Sequence, residues 1–106
     1  MANESDRLSK LMALLAAEPD DGFLLYGLAQ ELQKLGRHAE AAAQYDRVIA
    51  VDPKQCYAFF HKAKSLEQAG QRAEAVATLR TGLAHARKVG DHKAASEIEG
   101  YLDDMD

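Results

Sequence analysis

The segment Leu35-Gly36-Arg37-His38-Ala39-Glu40-Ala41-Ala42 comes back as Ala69-Gly70-Gln71-Arg72-Ala73-Glu74-Ala75-Val76, shifted by 34 residues, and Pro19 and Pro53 are the same 34 apart. A period of this length means that one small unit is stacked on copies of itself. Such a unit cannot bury its apolar face alone. Neighbouring copies must cover one another, and the product is an open surface rather than a closed pocket. The architecture therefore favours holding a partner over performing chemistry.

The apolar spacing says what the unit is made of. Leu8, Leu11, Met12 and Leu15 fall on one helical face with Leu14 beside them, so residues 4–17 are predicted as a first helix, capped by Asn3 or Ser5. Asp20 or Asp21 caps a second, over about 22–35, with Leu24, Leu25, Leu28, Leu32 and Leu35 inward and Gly36 as its stop. A third starts near His38, carries Ala41, Ala42, Tyr45, Val48 and Ile49, and ends at Val51 before Asp52-Pro53. The fourth, about 55–69, carries Phe59, Ala63 and Leu66 and stops at Gly70. The fifth, about 72–89, carries Ala75, Val76, Leu79, Leu83 and Ala86 and ends at Gly90. Asp91 caps a sixth whose stripe is Ala95, Ile98, Tyr101, Leu102 and Met105. Links of a few residues force successive helices to lie antiparallel and adjacent. The expected fold class is all-α: an α-solenoid of about six helices.

Composition narrows function. With 106 residues there is room for one domain, and 47% hydrophobic against 28% charged residues is ordinary for a folded chain. The net charge of −4 is concentrated: residues 91–106 hold six acids against Lys93 alone, while the rest is near balance. This reads as a polar cap on the end of the stack. No basic concentration points to nucleic acid or an anionic membrane, and no apolar run approaches a membrane span. Cys56 has no partner for an internal disulfide, and the start Met-Ala-Asn-Glu-Ser-Asp is not a secretion signal, so a cytoplasmic location is expected. The histidines His38, His61, His85 and His92 form no ligand pair on one helix, and the serines carry no nucleophile motif. No enzyme, metal or cofactor is expected.

The units resemble the tetratricopeptide repeat, a 34-residue helix–turn–helix with Trp-x2-Leu-Gly-x2-Tyr, Ala-x3-Phe and Pro, in a short, bacterial-type form. Residues 22–55 read Leu25-x2-Leu28-Ala29-x2-Leu32, Ala41-x3-Tyr45 and Pro53. Residues 56–89 read Phe59-x2-Lys62-Ala63-x2-Leu66 and Ala75-x3-Leu79, with Arg87 where proline would stand. Residues 4–17 match the second half of a unit and 91–105 the first half of another. The resemblance thus implies half a unit, two units and half a unit in one domain, stacked as a right-handed superhelix. Gly82 stands opposite Val48 of the first unit, where the family often has Ala. Lys62 occupies a packing site where Leu is usual, so its stem is expected along the core. The missing proline lets the fifth helix run longer than the third.

In this family the first helix of each unit lines the concave side. The resemblance therefore implies that Phe23, Tyr26, Gln30, Lys34, Tyr57, Phe60, His61 and Lys64 face a bound peptide or helix, with Tyr26, Tyr57, Phe60 and His61 central. Periodicity adds its own reason. Phe23 and Tyr26 lie off the Leu25–Leu28–Leu32 stripe, as Tyr57 and Phe60 lie off Phe59–Ala63–Leu66. Rings not claimed by the core can anchor a partner; the alternative is that they seal neighbouring helices together. Where some members grip a carboxylate, only Lys93 here carries the needed charge, so the groove suits apolar anchors. Gly27 and Gly100 sit inside helices at a cost of about 1 kcal/mol each against Ala, near the expected groove. Self-association, as a homodimer through the first helix or the aromatic groove, is the second reading.

Overall fold

A computed structural model describes residues 4–105 and contains, among them, six helices and no strand: α1 (Glu4–Ala17), α2 (Gly22–Lys34), α3 (His38–Val51), α4 (Cys56–Gln68), α5 (Arg72–Val89) and α6 (His92–Met105). Asn3 and the Ser5 side chain lie outside what is described. The helix ends follow local chemistry. Asp21 accepts from the Leu24 backbone N–H at 3.0 Å and Asp91 from that of Ala94 at 3.0 Å, each capping an otherwise unpaired donor. At the other ends Gly36 and Gly70 take φ of 80° and 82°, a left-handed turn that glycine adopts without strain. The turn lets the Arg37 N–H reach the Leu32 carbonyl and the Gln71 N–H reach that of Leu66, so both repeats close alike.

Each helix packs on its neighbours in sequence, and α4 also touches α6; the stack measures 42 × 27 × 18 Å. Its core comes in patches that bridge units. Leu8 and Leu15 of α1 join Leu25, Leu28, Leu32, Tyr45 and Val48. Further along, Leu66 and Leu79 meet Ile98 and Met105. A small third patch gathers Cys56, Ala86 and Ala94. Lys62 is mostly buried along its stem, and its ammonium pairs with Asp46 of α3 at 2.6 Å.

Equivalent positions of the two full units solve one problem in two ways. In the first, Leu25 and Val48 are both fully buried in the same patch. In the second, the corresponding residues are Phe59 and Gly82, and a Cβ placed on Gly82 would lie 2.6 Å from Phe59 Cβ and 2.9 Å from its Cγ. The two pairs carry the same number of side-chain carbons, so the large ring is accommodated by an absent side chain.

A second pair of equivalents is polar. Glu31, only 4% exposed, is paired with Arg7 Nε at 3.2 Å, which ties α1 to α2. Its counterpart Ser65 is fully buried, and its hydroxyl has no hydrogen-bond partner among the described residues. A buried hydroxyl without a partner costs stability, and Ala is the better helix former. Ser65→Ala should therefore raise stability by about 1 kcal/mol, read as a higher urea midpoint with an unchanged slope.

Candidate functional site

Two adjoining recesses form one trough beside α2. The larger, about 610 Å³, is lined by Arg7 and Leu11 of α1, by Gly22, Phe23, Tyr26, Gly27 and Gln30 of α2, by Val48 and Val51 of α3, and by Asp52 and Gln55 of the loop that follows. The smaller, about 240 Å³, shares Arg7, Gly27 and Gln30 with it and adds Glu31 and Lys34. Phe23 stands on the rim at 87% exposed, and Val51 is 41% exposed. Gly22 and Gly27 leave the floor open: a Cβ at either would be in ordinary contact, 3.7 Å from Val51 Cγ1 and 3.4 Å from Leu11 Cδ2.

The eight residues expected to face a partner divide into two groups. Phe23, Tyr26, Gln30 and Lys34 all line the trough. Tyr57, Phe60, His61 and Lys64 of α4 do not. Phe60 packs edge-on against Tyr101 of α6 at 5.3 Å and 74°, and against His61 at 5.7 Å. His61 stacks on Tyr45 at 5.7 Å and 19° and meets the edge of Tyr26 at 5.9 Å. The Lys64 ammonium sits 5.5 Å from the Phe60 ring centre. Tyr57 is half-buried against the small patch of Cys56, Ala86 and Ala94. The α4 rings thus seal helices together, and Tyr26 belongs to both the seal and the trough.

The difference between Phe23 and its counterpart Tyr57 has a physical cause. Proline at 53 ends α3 at Val51, and the chain turns away through Asp52. With Arg87 in place of proline, α5 continues to Val89, and Ala86, the counterpart of Asp52, is buried with Cys56 of α4 and Ala94 of α6 in the patch on which Tyr57 packs. The counterparts of Leu11 and Gly27 are Tyr45 and His61, whose rings stack at 5.7 Å, so the corresponding place in the second unit holds side chains. Arg7, Leu11, Gly22, Val51, Asp52 and Gln55 were not expected at the site. Leu11 was on the core stripe, and no local pattern marks the others. For Gly100 the structure offers no reason: it is exposed, and nothing lies within 4 Å of a Cβ there.

Hydrogen bonds and burial tune the ring network. The Tyr45 hydroxyl donates to Gln33 at 2.7 Å, and that of Tyr101 donates to Glu67, the counterpart of Gln33. Burial raises the Tyr26 and Tyr45 hydroxyls, and burial followed by Glu67 pushes Tyr101 up to about 12. Burial, then the Lys64 charge, lowers His61 below its ordinary 6.5. Burial and then Asp91 raise the Cys56 thiol, which keeps it from the reactive thiolate form. Among the described residues no three His, Cys, Asp or Glu side chains gather as a metal set.

These directions fix a pH profile. Below 6.5 the unfolded chain protonates His61 while the folded chain resists, so acid favours unfolding. Above 10 the unfolded tyrosines lose protons that the folded ones keep, so base favours unfolding too. Urea midpoints should hold near pH 7–9, fall as pH drops below 6.5, and fall again from 10 toward 12. His61→Phe should flatten the acid limb alone.

The tetratricopeptide repeat pattern matches residues 22–55 and again 57–81. No curated protein matches the chain. Among solved structures, SycD, the type III secretion translocator chaperone of Yersinia enterocolitica, is 23% identical with a TM-score of 0.82, over 96% of this chain and 78% of that one. A Bordetella parapertussis protein is 26% identical with a TM-score of 0.79, over 92% and 85%. A tetratricopeptide repeat domain protein from Salinibacter ruber is 28% identical with a TM-score of 0.74, over 83% and 89%. With two repeats matched across more than half its length and its helices superposing on solved repeat proteins, the chain belongs to the tetratricopeptide repeat family.

Proposed function

We propose that this protein is a non-catalytic, cytoplasmic interaction module that holds a peptide or helix of a partner protein in the trough along α2. The observation that carries the reading is the trough itself: about 610 Å³, floored by two glycines and edged by a ring that is 87% exposed. An exposed ring beside an apolar slot is a surface that gains by being covered. The reading treats residues 4–17, 22–55, 56–89 and 91–105 as half a unit, two units and half a unit of one domain. A buried, unpaired Cys56 suits a reducing compartment. No helix among the described residues is long and apolar enough to cross a membrane.

Affinity capture from the source cell's lysate, comparing wild type with Phe23→Ala, tests this. Phe23 supports little of the fold, so its loss should leave helical circular dichroism unchanged and remove the captured partner. Capture that survives in the variant places the interaction elsewhere.

Self-association has one observation in its favour. Of the large apolar residues that are exposed among the described residues, Met12, Leu14, Phe23 and Val51 all lie on α1 to α3, and only Val89 lies beyond. Exposed apolar side chains gathered toward one end of the stack are what a second copy would cover. Sedimentation at micromolar concentration separates the readings: a strict monomer removes this one.

A further inference from the structure

The trough has an electrical direction as well as an apolar floor. At one end Arg7, Glu31 and Lys34 come together. Glu31 is buried and paired with Arg7, so these two charges offset each other and Lys34, which is exposed, supplies the surplus positive charge. Asp52 marks the opposite end. The acidic excess of the chain belongs to α6, at the far end of a 42 Å stack, and a Debye length of about 8 Å screens it from this site. The local charge, not the net −4, decides what approaches.

Resting on the reading of the trough as a peptide site, we infer that its occupant carries one bulky apolar side chain and one carboxylate at a defined distance from it. The apolar group sits over Gly22 and Gly27 against Phe23, where a side chain on either glycine would otherwise grow into the space. The carboxylate reaches Lys34. Gly27 and Lys34 are seven residues apart on α2, which is about 10 Å along the helix axis. A polyproline-II segment covers that distance in about three residues at about 3.1 Å each, one full turn, which brings side chains three apart onto the same face. Asp52 at the other end disfavours a second acid there and sets the direction of the segment. The charge that meets the carboxylate comes from the last turn of α2, not from Lys93 of α6.

The probes are fluorescently labelled decapeptides, titrated against the full chain by anisotropy. One pair carries a single Phe with Glu three residues before it or three after. Matched peptides carry Lys in place of Glu, or Ala in place of Phe. The expected result is that one Glu–Phe peptide binds at least tenfold more tightly than its Lys counterpart, and that Lys34→Glu reverses this order. Phe23→Ala and Gly27→Leu should each abolish binding. Phe23 and Lys34 are exposed, so their variants keep the test valid if Gly27→Leu does not fold.

Binding that ignores the flanking charge but is lost in Phe23→Ala overturns this inference and leaves the trough as a peptide site. Binding that Phe23→Ala does not affect, or no binding by any peptide, also overturns it. Capture from lysate then decides the broader reading separately. A dimer that Phe23→Ala dissolves would make a second copy the occupant and overturn it as well.

Discussion

Gly82→Val should lower the stability of this protein by about 3 kcal/mol, even though valine is what the first unit carries at the same place. The floor under Phe59 is too close for any side chain: a Cβ at Gly82 would sit 2.6 Å from Phe59 Cβ, an atom fixed to the α4 backbone that cannot rotate away. A change of rotamer leaves that Cβ in place, so α4 and α5 must separate. In a chain this small, 3 kcal/mol corresponds to a fall of about 10–20 °C in melting temperature. Phe59→Leu alone should also cost about 1–2 kcal/mol, by leaving space where the ring was. The double variant Phe59→Leu/Gly82→Val keeps a Cβ at position 59, so it should recover only the part of the loss that comes from the ring and leave the backbone-fixed contact unrelieved. A thermal-melt cycle over the four proteins measures the coupling. Additive losses would show that the two positions do not share one space.

Phe60→Ala is the second large effect, and it is an effect on folding. The ring is held between Tyr101 of α6 and His61, with the Lys64 ammonium above it. Removing it takes apolar contact from both α4 and α6 and should cost about 2–3 kcal/mol. Phe23→Ala, two residues beyond the start of the described cap at Asp21 and 87% exposed, should change stability by less than about 0.5 kcal/mol. The two rings are both off the core stripe of their helices, yet one secures the stack and the other is free. Urea unfolding of the two variants side by side checks the distinction. Equal losses would mean that Phe23 is packed in solution. A binding experiment built on Phe60 would confuse loss of partner with loss of structure, and Phe23 is the better probe.

The legible part of this protein is its helices. Gly36 and Gly70 stop them, Asp21 and Asp91 cap them, and the apolar spacing marks Leu25, Leu28, Tyr45, Val48, Leu79 and Ile98 as inward, where all are buried. Even the extra length of α5 follows from Arg87 standing where proline would be. Half of the expected contact residues, Phe23, Tyr26, Gln30 and Lys34, line the trough. The other half, on α4, share its phase but not its surroundings.

What the sequence alone determined is therefore periodic and local: a unit of 34 residues, where its helices begin and end, and which face of each turns inward. Those features depend on neighbours within a turn or two. The tertiary structure decided which off-stripe rings stay open. A ring is covered or free according to the helix that arrives beside it from elsewhere in the chain: Ala86 of α5 and Ala94 of α6 meet in Tyr57's patch, while Phe23 is left 87% exposed. It also brought Arg7 to Glu31 across two helices and set Gly82 under Phe59. Equivalent positions have equal phase but unequal company, and burial is a property of the company.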